Sequence, residues 1–309
     1  MHLGRDNGPK PDYLLASLLQ SSSPSTEGQE GEADRAREAL SVSAHTLLRV
    51  RGSRLMDDSL RDYLSLFVHR LTRHSVLSQA EQDAILGLPG RVIRVTSRRD
   101  LFTPGELLRQ AVLVGEGLLG RFDVMRDGRR QITAIYLPGD MSDLQSVVAP
   151  VTGGGIQAFT PSIVVRVEHA ALKRLATERP ELGLAFWRDT TLDASILAKS
   201  LANIGRKNAE SRIAHFLCEF ALRSEWIGRG NRNNCPFDLT QDQIGDALGL
   251  TSVHVNRTLR KLNETAHIVL RERGLIIRDW TWLAALAEFD PSYLILSRQN
   301  AAVTRTAIE

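Results

Sequence analysis

The stretch from Leu239 to Leu262 constrains this chain more than any other. Thr240 stands where a first helix needs a cap, since its hydroxyl can accept from a free backbone N–H of the opening turn. Gln243 follows three residues on, as the second half of a capping box. Ile244, Ala247 and Leu248 fall at i, i+3 and i+4 and give that helix one apolar face. Gly249 then supplies a left-handed residue without steric cost, as a helix end requires. Thr251 or Ser252 caps the next helix, whose Val255, Leu259 and Leu262 recur at i, i+4 and i+7. The spacing predicts two short helices joined by a tight turn, which is the layout of a helix-turn-helix.

The other face of the second helix presents Ser252, Val253, Asn256, Arg257, Arg260 and Lys261, with no acid as far as Leu262. A helix of this kind lies in the major groove of double-stranded DNA. Arg offers guanine a bidentate fork and Asn does the same for adenine. Ser252, Val253, Asn256 and Arg257 are the expected base-reading residues. Thr240, Gln241, Thr251, His254, Arg260 and Lys261 are expected on the DNA backbone. The competing reading is a plain helix pair with a solvated basic face. It leaves the coincidence of cap, turn, two apolar stripes and missing acids unexplained.

Ile268-Val269-Leu270-Arg271 and Leu275-Ile276-Ile277-Arg278 read as a hairpin with Gly in its turn, Glu272-Arg273-Gly274. This would be a wing, with Arg271 and Arg273 on phosphates. From Arg206 to Arg278 there are twelve Lys/Arg against eight Asp/Glu, a local excess that suits phosphate attraction. The whole-chain balance of +3 is mild, so placement carries the argument.

Residues from about Leu60 to Leu296 resemble the Crp/Fnr family of bacterial transcription regulators. The resemblance rests on Leu239 to Arg260, Asn203-Ile204-Gly205-Arg206-Lys207, Arg212-Ile213-Ala214-His215-Phe216-Leu217-Cys218-Glu219 and Leu137-Pro138-Gly139-Asp140. The helix-turn-helix match is specific, whereas the N-terminal one rests on order and spacing. The resemblance implies a β-roll sensor domain, a long dimerisation helix, a C-terminal winged helix, and RNA polymerase as a partner. Members that read a guanine-containing half-site usually carry Glu where this chain has Val253, and they share Arg257. Val cannot accept from cytosine but can pack on a thymine methyl. The family's commonest half-site is therefore not assumed.

A chain of 309 residues is long enough for two cores. Its 42% hydrophobic and 24% charged residues are ordinary for globular material. It has no run of 18 apolar residues and its start lacks the apolar core of a secretory signal. With only Cys218 and Cys235, no disulfide framework is expected. A cytoplasmic protein without membrane contact fits these features. The expected class is α+β, with an N-terminal double-stranded β-helix of jelly-roll type. Residues 1–58 read as a disordered extension on their polar Ser/Glu/Gly composition. Residues 59–179 read as the sensor, 180–205 as dimerisation helix and hinge, 206–296 as winged helix, and 297–309 as tail. Helical spacing runs from Leu60 to Leu88. Short strands follow to Val167, with turns at Pro104-Gly105, Pro138-Gly139 and Pro161, and a two-residue hairpin turn at Asp127-Gly128.

Trp187, Thr190, Ala194, Leu197, Leu201 and Ile204 are spaced alternately by three and four residues, as in a coiled-coil seam. Ala185, Leu192 and Ile196 form a second stripe, expected against the chain's own roll. Two stripes on one helix imply a partner, and a homodimer reading palindromic half-sites about one helical turn apart is expected. Asn203-Ile204-Gly205 is either a hinge or a plain helix end.

Binding a cyclic nucleotide needs a cation for its phosphate. Gly139-Asp140 resembles the start of the family's cassette, yet Met141 to Val165 holds no Lys or Arg. An iron–sulfur cluster needs about four thiolates, and the chain has two. His215 and Cys218 lie at i, i+3, but the stripe Ile213, Phe216, Leu217 and Phe220 points to core packing, where Cys acts as a small hydrophobe. No cofactor, metal or named effector is therefore expected. No nucleophile elbow, paired-carboxylate motif, zinc signature or dinucleotide fingerprint is present, so an enzyme is not expected. The alternative function is a ligand- or partner-binding module whose winged helix lacks specific DNA recognition.

Overall fold

The computed structural model describes residues 59–271 and 273–294. The expectations for 1–58 and 297–309 lie outside the described residues. Helix α1 (59–72) buries Leu64, Phe67 and Leu71. The single helical stretch expected from Leu60 to Leu88 is broken, and a second helix, α2, spans Gln79–Leu86. Its Ser78 Oγ accepts from the Glu81 N–H while the Glu81 carboxylate accepts from the Ser78 N–H. This local capping box starts a new helix where apolar spacing alone would run on.

Seven strands follow: β1 (Gly90–Val95), β2 (Asp100–Phe102), β3 (Gln110–Glu116), β4 (Leu119–Val124), β5 (Arg130–Tyr136), β6 (Gly155–Ala158) and β7 (Ser162–Glu168). They form two antiparallel sheets, ordered β1-β7-β3 and β2-β6-β4-β5. Val112, Val114 and Val164 of the first sheet meet Leu119, Tyr136, Ile156 and Ala158 of the second in one core. This is the expected roll. The other face of the first sheet, through Ala111, Leu113, Val165 and Val167, packs on α1 and on α3 (His169–Glu178). The β4–β5 turn differs from the expected two-residue type. Met125 N–H donates to Arg129 O and Gly128 N–H to Met125 O, enclosing Arg126, Asp127 and Gly128. Gly128 alone among them has positive φ, at 82°.

Helix α4 (Pro180–Arg206) has 27 residues, or roughly 40 Å at 1.5 Å per residue. It runs through Gly205. The chain breaks instead at Lys207, which is extended, and Asn208 caps α5 (Ala209–Trp226) by accepting from the Ser211 N–H at 2.9 Å. Of the second stripe, Ala185 joins the roll's core as expected. Leu192 and Ile196 pack instead with Leu222 of α5 and Leu294.

The C-terminal part adds β8 (Asn234–Pro236), α6 (Gln241–Leu248), α7 (Ser252–Glu264), β9 (Ile268–Arg271), β10 (Gly274–Ile277) and α8 (Trp280–Ala287). The wing is a three-stranded sheet, β8-β10-β9, one strand more than expected. Gly274 opens β10, and the left-handed turn residue is Arg273, with φ 68°. The winged helix and the roll share a core. Leu118, Phe122, Ile132, Ile135, Leu137 and Phe159 of the roll cluster with Ile213, Leu217, Phe220, Ile244 and Leu248. Among the described residues no helix is long and apolar enough to cross a membrane.

Candidate nucleic-acid interface

Helix α6 opens on a complete capping box. Thr240 Oγ1 accepts from the Gln243 N–H at 3.2 Å, and Gln243 Oε1 accepts from the Thr240 N–H at 2.8 Å. Gly249 closes the helix in the left-handed region at φ 65°. Gly245, inside α6, has its own constraint. A Cβ there would lie 2.6 Å from Leu250 O, so only Gly lets the turn fold back this closely. Thr251 caps α7 by accepting from the His254 N–H at 3.2 Å. Val255, Leu259 and Leu262 are buried against Ile244 and Leu248.

That packing leaves the opposite face of α7 in solvent. Val253 is 79% exposed, and Asn256, Arg257 and Arg260 are exposed too. Ser252 and His254 are half-buried. Arg257 and Arg260 make no ion pair among the described residues. Asn256 Nδ2 donates to Gln241 Oε1 at 3.0 Å, joining an expected base reader to an expected backbone contact. Two of the cations expected on the DNA backbone sit in ion pairs. Lys261 Nζ lies 2.6 Å from Glu210 Oε2 of α5, and Arg273 Nε lies 3.2 Å from Asp238 Oδ1. Neither acid is near in sequence, so local spacing did not reveal the pairing. Arg271 is exposed at the end of β9. Helix α7 also runs two residues beyond Leu262, placing Glu264 at its far end.

The reading head is fixed from behind. Arg212 donates to Leu248 O at 2.7 Å, Ile204 O at 2.8 Å and Lys207 O at 2.9 Å. One guanidinium thus meets the carbonyl ends of both α4 and α6, where a cation also suits the helix dipole. Burial lowers the pKa of Arg212. From the roll, Gln131 Nε2 on β5 donates to Asp246 O at 2.7 Å and to Ala247 O at 3.3 Å.

A buried ion network ties the parts together. Arg70 of α1 pairs with Asp140, with Asp189 at 2.5 Å and with Asp193 at 2.8 Å. Arg223 of α5 donates to Asp140 Oδ2 at 2.8 Å and to Ile135 O at 2.9 Å. Burial alone would lower the Arg70 pKa, but Asp140, Asp189 and Asp193 hold it well above its ordinary value. Asp193 is pushed up to about 7, by burial first and then by Asp189 and Asp140, against the pull of Arg70 and Arg223. Its side chain keeps 26% of its surface in solvent, which moderates that push. Asp140 is the residue at the cassette position, and its oxygens accept from Arg70, Arg223 and the Leu137 N–H. A cation does reach this region from outside 141–165, that of Arg121. From β4 it reaches Tyr136 Oη at 3.0 Å and Ser142 O at 2.6 Å.

Cys218 and Cys235 are both buried, and burial pushes both thiols up, Cys235 to about 11. His215 stacks on Tyr293 and meets Phe289 edge-on, and burial, reinforced by Lys207, lowers its pKa to about 4. Among the described residues no cluster of three or more His, Cys, Asp or Glu is arranged to hold a metal ion.

Residues 211–286 match the family model of the Crp-like helix-turn-helix domain. The chain is 30% identical over 212 residues to the nitrogen fixation regulation protein FixK of Azorhizobium caulinodans, covering 67% of this chain and 82% of that one. It is 24% identical to the fumarate and nitrate reduction regulatory protein of Vibrio cholerae, covering 68% and 84%. Among solved structures, FixK2 from Bradyrhizobium japonicum superposes with a TM-score of 0.59 at 25% identity, covering 64% of this chain and 98% of FixK2.

Proposed function

The chain belongs to the Crp/Fnr family and is a DNA-binding transcription regulator of that type, and we propose that it reads a palindromic site as a homodimer. The observation that carries the reading is the exposed face of α7. Among the described residues Arg257 has no ion-pair partner there, beside Val253 and Asn256, on a helix whose other face is locked into the core. Arg257 takes guanine, Asn256 exchanges Gln241 for adenine, and Val253 packs on a thymine methyl, with Ser252 beside them. Thr240, Gln241, Thr251, His254, Arg260 and Arg271 hold the backbone. Lys261 and Arg273 join them only by leaving Glu210 and Asp238.

The dimer reading rests on α4. Trp187 is 71% exposed, Leu201 70% and Leu197 48%, while Leu192 and Ile196 on the other side are buried. Thr190, Ala194 and Ile204 complete that stripe. An exposed apolar stripe of this length marks a partner, and a second α4 supplies the matching face. The roll biases the reading heads by differential binding of whatever it senses. The reading calls for neither an iron–sulfur cluster nor a cyclic nucleotide. Both thiols are buried, and Asp140 is held by Arg70 and Arg223. RNA polymerase is the protein partner this reading implies.

Selection from random duplex DNA at about 150 mM salt, where non-specific phosphate attraction is reduced, tests it. The wild type should enrich a palindrome, and Arg257→Ala should lose one base preference in each half-site, worth about 1–3 kcal/mol. Binding that is indifferent to sequence, or a consensus that Arg257→Ala leaves intact, overturns the reading.

A further inference from the structure

The β4–β5 hairpin belongs to the roll, yet it lies against the helix-turn-helix. Its tip, Met125-Arg126-Asp127-Gly128-Arg129-Arg130, carries three cations and one acid. Met125, Arg129 and Arg130 line one open groove together with Asp242, Gly245, Asp246 and the turn Gly249 to Ser252. Gln131, the next residue along β5, fastens the hairpin to the Asp246 and Ala247 carbonyls of α6. The tip therefore stands beside the turn that leads into α7.

The cations there are unequally occupied. Arg130 is half-buried, lies over the Phe122 ring at 4.2 Å and is 3.9 Å from Asp100. The Arg129 side chain is 82% exposed and among the described residues forms an ion pair with its neighbour Asp127 alone, with Nε 2.7 Å from Oδ2. Arg126 is exposed with no ion pair among the described residues. Asp242 and Asp246 line the same groove, so a small free anion gains little by entering it. An extended polyanion already docked on α7 is different. Thr251 and Ser252, which line the same groove as Arg129, would bring it to that edge, where the exposed tip can meet it without its entering the groove.

We propose that Arg126 and Arg129 at the β4–β5 tip together neutralise one phosphate of the DNA that α7 reads, so that each sensor roll holds part of the same duplex. This extends the reading given above and rests on it. The contact is electrostatic, fixes no base, and lies toward the flank of each half-site. A phosphate contact lowers the slope of log K against log salt by about 0.9. One contact per protomer is therefore worth about 1.8 in the slope of a dimer. If its contribution vanishes near 1 M salt, that is roughly 30-fold in affinity at about 0.15 M.

The test uses the full chain and its selected palindrome with duplex flanks. Affinity is titrated across salt for the wild type, Arg126→Gln/Arg129→Gln and Arg126→Lys/Arg129→Lys. The Gln variant should bind the same consensus with a slope less steep by about 1.8, and the Lys variant should keep the wild-type slope. Unchanged slope and affinity in the Gln variant overturn the proposal. If transcription from the bound site falls while the slope holds, the tip serves a protein partner and the proposal is likewise overturned. A wild type that enriches no consensus overturns the preceding reading first, and this one with it.

Discussion

Replacing Arg223 by Met removes the guanidinium that α5 inserts into the ion network while keeping most of the side chain's length. Its Nη2 donates to Asp140 at 2.8 Å and to Ile135 O at 2.9 Å, and Nη1 lies 3.4 Å from Glu219. The side chains of Arg223 and Asp140 are 11% and 5% exposed, so water does not take over these bonds. Removing one partner of a buried pair costs about 3–5 kcal/mol. Asp140 keeps Arg70 and the Leu137 N–H, which places Arg223→Met near the lower limit, about 3 kcal/mol. For a chain of 309 residues that lowers Tm by about 5 °C. Thermal and denaturant unfolding should be run at fixed protein concentration, because association shifts apparent stability. Asp140→Asn and the double variant complete a cycle whose coupling should exceed about 1 kcal/mol. The loss should also persist at high salt, since buried pairs are weakly screened. A loss below about 1 kcal/mol, or no coupling to Asp140, would refute the assignment of this pair as a main tie between roll and winged helix.

Other expectations follow from single observations. Asp193, pushed up to about 7, holds its proton more tightly in the native chain than unfolded. Its stabilising effect is therefore full below about pH 4 and lost as pH rises through about 7. Asp193→Asn should flatten that fall in a pH series of unfolding curves. His215, at about 4, has the opposite sense, with stability lost as pH drops below about 6.5. Gly245→Ala should destabilise by about 1–3 kcal/mol and weaken DNA binding. Ala is otherwise favoured in a helix by about 1 kcal/mol, so a net loss by denaturant titration isolates the clash with Leu250 O. Leu201→Glu should convert the assembly to monomer in sedimentation while each protomer stays folded, and an unchanged sedimentation coefficient would place the partner elsewhere.

The helix-turn-helix was legible because its determinants are local. Thr240, Gln243, Gly249 and Thr251 act within three or four residues, and the apolar stripes need only a count along the chain. The roll's strands were legible for the same reason, through alternation and turn residues. Other features depend on partners far apart in sequence. Arg70 meets Asp189 across 119 positions, and Lys261 meets Glu210 across 51. No periodicity marks either pair. Gly245 carries no signal of its own along the chain, because the carbonyl that requires it arrives with the turn. The break after α1 had a local signal, the Ser78–Glu81 box, which the longer apolar rhythm masked.

The core that roll and winged helix share bears on whether the reading head can be moved. A chain cut at Lys207 would keep Ile244, Leu248 and Phe220 but lose Phe122, Ile132, Ile135 and Phe159, against which they cluster. Such a fragment would present raw apolar surface and aggregate. A winged helix grafted from a relative would meet this roll with the wrong shapes unless the β4–β5 residues travelled with it. The portable part of this chain is thus not the segment that holds the helix-turn-helix motif, but that segment together with a hairpin encoded about a hundred residues earlier.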